Sequence, residues 1–410
     1  MRVLNLSQDV MNFNCISCGQ IYPIDEQHLL CECGGLLEVI HSWENLNVKK
    51  ELEKFQKTKS GVWRFKPLVH QSISEKHLIM RGEGRTGLYD STQKITSFAG
   101  TQNIRFKHEG ENPTGSFKDR GMTVATSEAK RLGVSKVICA STGNTSSSLA
   151  AYAAYGGLEA YVVIPKGKVA LGKLAQAVAY GSHVLEIEGN FDTALQKVQE
   201  MAKNEKMYLL NSINPWRLEG QKTIIFELLE QNNWKIPDFI VVPAGNLGNT
   251  SAFGKALREA KELELIDAFP RIISVQAENA NPFAEYWRTG NFKAKKKPNT
   301  LATAINIGNP VSREKAIRTI KETNGMVLSV SDQEILDAKA IIDGSGLGCE
   351  PASATTLAGI KQLVEKGTIS RSDKVIAVLT GHILKDTQII TDYHSHTIPD
   401  IQSTYANTLE

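Results

Sequence analysis

Lys118 stands in the stretch Glu111-Asn112-Pro113-Thr114-Gly115-Ser116-Phe117-Lys118-Asp119-Arg120-Gly121-Met122, where a turn-forming segment runs into an amphipathic helical pattern. Pro113 and Gly115 disfavour regular structure, and Ser116 is a suitable N-cap for a helix over 117–132. An amine at the positive end of a helix, beside apolar Phe117 and Met122, is favoured in its neutral or Schiff-base form. Lys118 therefore reads as a catalytic amine, although a lone lysine in such a turn is more often a solvated surface group. What separates the two readings is the company it keeps further along the chain.

Four later segments sit just after β-branched runs, where open parallel sheets bind their ligands. Ser141-Thr142-Gly143-Asn144-Thr145-Ser146-Ser147-Ser148 offers six hydroxyls and a carboxamide, more than a helix cap uses, so Ser141, Thr142, Asn144 and Thr145 are ligand-binding candidates. Gly245-Asn246-Leu247-Gly248-Asn249 can turn backbone amides onto an anion at a helix mouth. It lacks the Gly-Lys-Ser/Thr of a Walker loop and the spacing of a dinucleotide fingerprint, and by itself is equally a tight turn. Asn211, Ser212 and Arg217 suit a second phosphate or a carboxylate, against a plain polar interlobe loop. Thr380 closes the last strand and can point one hydroxyl into a cleft. A metal site on His382, His394 and His396 is set aside, because Asp392 is the sole further ligand at fitting spacing.

The N-terminal region carries Cys15-x2-Cys18-Gly19, eleven residues, and Cys31-x-Cys33-Gly34-Gly35. Two cysteine knuckles followed by glycine have the form of a zinc ribbon, with the second knuckle one residue short. An intact site on Cys15, Cys18, Cys31 and Cys33 and a degenerate ribbon held by packing both remain open. No Lys or Arg occurs between residues 3 and 48, which argues for a structural cap over a nucleic-acid module.

A net charge of +3 over 410 residues gives no bulk attraction to nucleic acid or acidic membranes. No apolar run reaches the ~18 residues of a membrane span, and the first residues lack a signal-peptide core, so a cytoplasmic location is expected. Strand and helix patterns alternate from Lys136 to Leu210 and again from Gly220 to Thr380, the mark of an α/β fold with two parallel-sheet lobes. The expected division is a zinc-ribbon-like cap over 1–41, a linker over 42–62, a large lobe from 63–128 and 216–392, a small mobile lobe over 129–215, and a polar tail over 393–410. The lysine helix falls at the junction of the lobes.

A lysine, an Asn-containing hydroxyl loop, a phosphate cradle and a strand-end threonine together suit a cofactor with an aldehyde, an aromatic ring and one phosphate, as in pyridoxal 5'-phosphate. In the order and separation of these motifs, over most of residues 60–390, the chain resembles the tryptophan-synthase-like (fold type II) family of pyridoxal-phosphate enzymes. The resemblance implies that Lys118 forms the Schiff base and then shuttles protons. It also implies that Asn144 bonds the ring oxygen, Gly245, Asn246, Leu247, Gly248 and Asn249 hold the cofactor phosphate, and Thr380 faces the ring nitrogen. Thr145, Asn211, Ser212 and Arg217 match the positions that hold a substrate phosphate. This points to the family branch that converts O-phospho-L-homoserine and water to L-threonine and phosphate, by γ-elimination and β-addition of water. The same resemblance implies a homodimer. Members activated by S-adenosylmethionine have a longer N-terminal region, so no such activation is expected. The alternatives are a cysteate-synthase-like replacement on O-phosphoserine, and a non-catalytic phosphate-ligand binder with a zinc ribbon.

Overall fold

The structure, a computed structural model, describes residues 11–44, 47–167, 171–189 and 191–394. Residues 1–10 of the expected cap and 395–410 of the expected tail, with His396, lie outside the described residues. The described strands are β1 (Met11–Cys15), β2 (Ile21–Pro23), β3 (Leu37–His41), β4 (Leu88–Asp90), β5 (Ile104–His108), β6 (Lys136–Ala140), β7 (Glu159–Pro165), β8 (His183–Ile187), β9 (Tyr208–Leu209), β10 (Phe239–Pro243), β11 (Arg271–Ala277), β12 (Met326–Val330) and β13 (Val375–Leu379).

They form three sheets. The ribbon sheet has the order β2-β1-β3 and is antiparallel. The six-stranded sheet has the order β12-β11-β10-β13-β5-β4, parallel except for edge strand β4. The four-stranded sheet, β8-β7-β6-β9, is parallel throughout. Phe239-Ile-Val-Val-Pro243 and Val375-Ile-Ala-Val-Leu379 are buried along their whole length, because a parallel sheet covered by helices hides both faces of its central strands.

Register brings the chemistry-bearing segments together. Leu379 of β13 pairs with His108 of β5, so Thr380 and the lysine loop emerge side by side at the carboxyl end of the large sheet. In the small sheet Ile138 pairs with Leu209, so the hydroxyl loop after β6 and the Asn211 loop after β9 leave the same edge.

Three expectations are corrected. The lysine helix spans Lys118–Arg131 with Phe117 at its N-cap position, so Ser116 does not cap it; Ser116 instead bridges Gly381, and its buried Oγ has no partner. The helix expected from Gly220 begins at Pro215 and is broken into Pro215–Gln221 and Thr223–Gln231. Arg217 thus rides on a helix, opened by proline at its first turn and capped by Asn214, rather than on a loop. The segment 42–62, where a charged helix or a linker is expected, needs no correction: it contains the helix Val48–Phe55, which buries Val48 and Leu52.

Candidate active site

Lys118 begins its helix with Nζ 4.4 Å from the centre of the Phe117 ring. It keeps an opening to the cleft although protein packs around it at core depth. Burial and then the nearby Arg217 charge bring its pKa down to about 7, with Glu350 opposing. The loop before it is tied at both ends. Phe117 N–H donates to Thr380 O (3.0 Å) and His382 N–H to Gly115 O (2.9 Å). Asp119 accepts from the Thr114 amide (2.7 Å), the Thr114 hydroxyl (2.6 Å) and the Ser148 hydroxyl (2.5 Å). Arg120 is locked in a buried network, with Nε 2.6 Å from Glu109 and Nη2 2.8 Å from Glu227. The lysine therefore starts from a fixed backbone.

The hydroxyl loop opens the helix Asn144–Gly156. Ser146 and Ser147 donate to Gly143 O and Ser148 to Asp119, so these three hydroxyls serve the scaffold, while Ser141, Thr142, Asn144 and Thr145 keep partial exposure toward the cleft. Asn144 Nδ2 donates to Glu350 Oε2 (2.8 Å) and Thr380 Oγ1 to Glu350 Oε1 (3.0 Å). One carboxylate thus joins the two residues expected to flank a ring. Burial raises the pKa of Glu350. Sequence reading missed Glu350 and Asp119; the signal for the former was Glu350-Pro351 opening the helix Pro351–Glu365, a cap position whose side chain is free to point elsewhere.

The cradle leads into the helix Gly248–Glu262. Its left-handed residue is Leu247 (φ 64°), not a glycine. A branched residue there is strained by about 1 kcal/mol, which the surroundings must hold in place. Gly245 serves close approach instead: a Cβ there would lie 3.0 Å from Ile305 Cα. Asn249 Oδ1 and Gln221 Oε1 are buried without partners.

On the arginine helix Pro215–Gln221, Arg217 Nη1 donates to Leu210 O (3.2 Å), while Nε and Nη2 are buried and unpartnered. No carboxylate pairs with Arg217 among the described residues, and burial pulls its pKa downward. A buried guanidinium without a counter-ion is costly, so this arrangement is suited to an incoming anion. Asn211 differs from the expectation of a free ligand amide. Its carboxamide exchanges two 3.0 Å bonds with the backbone of Ala140, leaving one further hydrogen-bonding capacity on each atom. A groove of about 840 Å3 beside Leu30, Lys136 and Ile213 holds none of these groups.

The four cysteines converge, with Cys15 and Cys31 buried and Cys18 and Cys33 exposed. Against the effect of burial, amide hydrogen bonds from Cys18 and Ser17 bring Cys15 down to about 6.

Two parallel sheets meeting at a lysine of depressed pKa, with a helix-mouth cradle and a facing carboxamide, define a fold type II pyridoxal-phosphate enzyme. The residues fit that group: an amine for its aldehyde, a cradle with an unpartnered Asn249 for its phosphate, and polar side chains on either side for its ring. A sequence model of the pyridoxal-phosphate dependent enzyme family matches residues 79–381. A threonine synthase of Methanocaldococcus jannaschii is 48% identical over 379 residues, covering 91% of this chain and 92% of its own. A threonine synthase of Methanosarcina acetivorans is 45% identical, covering 93% and 94%. Among solved structures, threonine synthase from Escherichia coli superposes with a TM-score of 0.71 at 16% identity, covering 94% of this chain and 91% of its own, a likeness of fold. The chain belongs to the pyridoxal-phosphate dependent enzyme family, on its threonine synthase branch.

Proposed function

We infer that the chain converts O-phospho-L-homoserine and water to L-threonine and phosphate. The observation that carries this reading is Arg217, a buried guanidinium with two unpartnered nitrogens beside Lys118, in a site that already has a separate cradle for the cofactor phosphate. An enzyme acting on an unphosphorylated amino acid has only the α-carboxylate to hold and no substrate phosphate.

When bound, pyridoxal phosphate supplies the electron sink that makes the substrate's α and β carbons acidic. Lys118 would hold its aldehyde and move protons at those carbons, a task suited to an amine titrating near neutrality. Asn144 would orient the ring, Gly245 to Asn249 would hold the phosphate, and Thr380 would offer the ring nitrogen a neutral hydroxyl. A hydroxyl does not keep that nitrogen protonated as a carboxylate would, which discourages transamination. Arg217, Ser212, Thr145 and the remaining capacity of Asn211 hold the substrate phosphate, with Ser141 and Thr142 beside them. After elimination the same residues keep the released phosphate next to the β carbon, where it assists the attack of water.

The two parallel sheets support dividing the chain into a small lobe over 129–215 and a large lobe from 63–128 and 216–392, with the cap over 1–41 carrying a structural zinc ion on its four cysteines. A cytoplasmic homodimer that binds no nucleic acid completes the reading; no described helix is long and apolar enough to cross a membrane.

The test is phosphate release by purified holoenzyme. Equimolar phosphate and L-threonine from O-phospho-L-homoserine support the assignment. Release from O-phosphoserine with sulfite, and none from O-phospho-L-homoserine, replaces it with the cysteate-synthase-like reaction. A preparation that stays colourless after reconstitution with cofactor rejects both.

A further inference from the structure

The sulfurs of Cys15, Cys18, Cys31 and Cys33 all lie within 4.8 Å of one another, with Cys15–Cys33 and Cys18–Cys31 at 3.6 Å. Thiolates ~2.3 Å from a tetrahedral ion stand ~3.8 Å apart, whereas a disulfide needs ~2.0 Å, so the spacing is that of a metal site. The Ser17 amide donates to Cys15 Sγ (3.4 Å), and the Tyr22 hydroxyl lies 3.1 Å from Cys31 Sγ, the outer partners such a site uses.

The cluster is rigidly joined to the active site. Strands β1 and β3 pair from Cys15 with Leu37 to Met11 with His41. At the far end His41 Nε2 meets Glu219 at 2.6 Å, both side chains buried, and Phe13 of β1 stands edge-on to Trp216 at 5.6 Å. Trp216 and Glu219 flank Arg217 on its helix. The Val39 carbonyl and Glu219 also share the Lys255 ammonium. The neighbouring group His41, Glu219 and Glu259 is not itself a second cation site. Lys222 already fills it, with Nζ 2.5 Å from Glu219 and 2.7 Å from Glu259.

We propose that a divalent cation held by the four thiolates braces the ribbon against the arginine helix, so that metal occupancy sets the affinity of the Arg217 end of the site for the phosphorylated substrate. The proposal rests on the reading of Arg217 given above. Without the ion the hairpin turns carrying the cysteines loosen, the grip of β1 and β3 on Trp216 and Glu219 weakens, and Arg217 is no longer held where the phosphate needs it. The cradle end of helix Gly248–Glu262 has its own tie to the large sheet, Thr250 Oγ1 lying 2.8 Å from Ser274 Oγ of β11, so cofactor binding is expected to survive.

The experiment compares zinc-loaded wild-type holoenzyme with Cys18→Ser and Cys33→Ser, chosen at the two exposed cysteines, and with His41→Phe, which keeps the metal site and cuts its link. Bound zinc is measured by atomic emission, site geometry by the thiolate-to-cobalt absorption after exchange, and function as KM, kcat and the inhibition constant of inorganic phosphate. The expected result is a tetrathiolate cobalt spectrum in wild type and about a tenfold rise in KM and in the phosphate inhibition constant, with cofactor absorbance retained, in the cysteine variants and in His41→Phe. Absence of the cobalt spectrum in wild type overturns the metal site. Unchanged KM and phosphate inhibition in His41→Phe overturns the coupling, whether or not the cysteine variants fold. If Arg217→Lys also leaves phosphate inhibition unchanged, the premise about Arg217 has failed rather than the brace.

Discussion

Gly220 of the arginine helix lies so close to Arg120 of the lysine helix that a Cβ there would stand 1.8 Å from the Arg120 carbonyl oxygen. Gly121 reciprocates, its Cβ position falling 2.9 Å from the Arg217 carbonyl oxygen. The helices bearing the amine and the guanidinium thus touch backbone to backbone, which fixes the spacing between them and explains how one charge depresses the pKa of the other.

That contact leaves no room for a methyl group. Gly220→Ala should push the helices apart, destabilising the protein by about 1–3 kcal/mol in urea denaturation and raising KM for the phosphorylated substrate. A variant with unchanged stability and KM would show that the crossing tolerates movement.

The charges around Lys118 predict opposite shifts. In apoenzyme the amine is neutral above pH about 7, so its capture of pyridoxal phosphate should accelerate as pH rises through that value and then level off. Arg217→Met removes a like charge and moves the midpoint up; Glu350→Gln removes the opposing charge and moves it down. Stopped-flow absorbance gives the midpoints, and equal midpoints in all three proteins would sink this electrostatic account.

Arg120 is the shared partner of two buried carboxylates, Glu109 and Glu227. Truncation in Arg120→Leu leaves both facing one fewer cation, for a loss of about 3–5 kcal/mol in chemical denaturation. Lys107, 2.6 Å from Glu227, remains to offset part of it. A loss below about 1 kcal/mol would mean that the network relaxes around the gap.

The parallel strands were legible because buried β-branched runs have few other ways to fold: Phe239–Pro243 and Val375–Leu379, buried throughout, both lie in the stretch from Gly220 to Thr380 read as alternating strand and helix. Short strands such as Leu88–Asp90 and Met326–Val330 were not, since their patterns are brief and the latter is only half-buried. The site loops could be read from polar excess at strand ends. What the sequence hid was which polar groups the scaffold already uses. The amide of Asn211 pairs with Ala140, three serines serve Gly143 and Asp119, and Glu350 arrives from a helix start with no local sign of its destination. Ser116 looked like a cap because side-chain type alone cannot reveal that its backbone is bridged to Gly381, more than 200 residues away.

The proposed reaction depends on Arg217 as the anchor of a substrate phosphate in a site that would bind the cofactor phosphate elsewhere. The most direct measurement is kcat/KM for L-threonine formation from O-phospho-L-homoserine by wild type and by Arg217→Lys, each loaded with cofactor. Replacing a fixed planar fork by a point charge should lower kcat/KM by about 100-fold while cofactor absorbance is kept. Equal values in the two proteins would contradict the central claim.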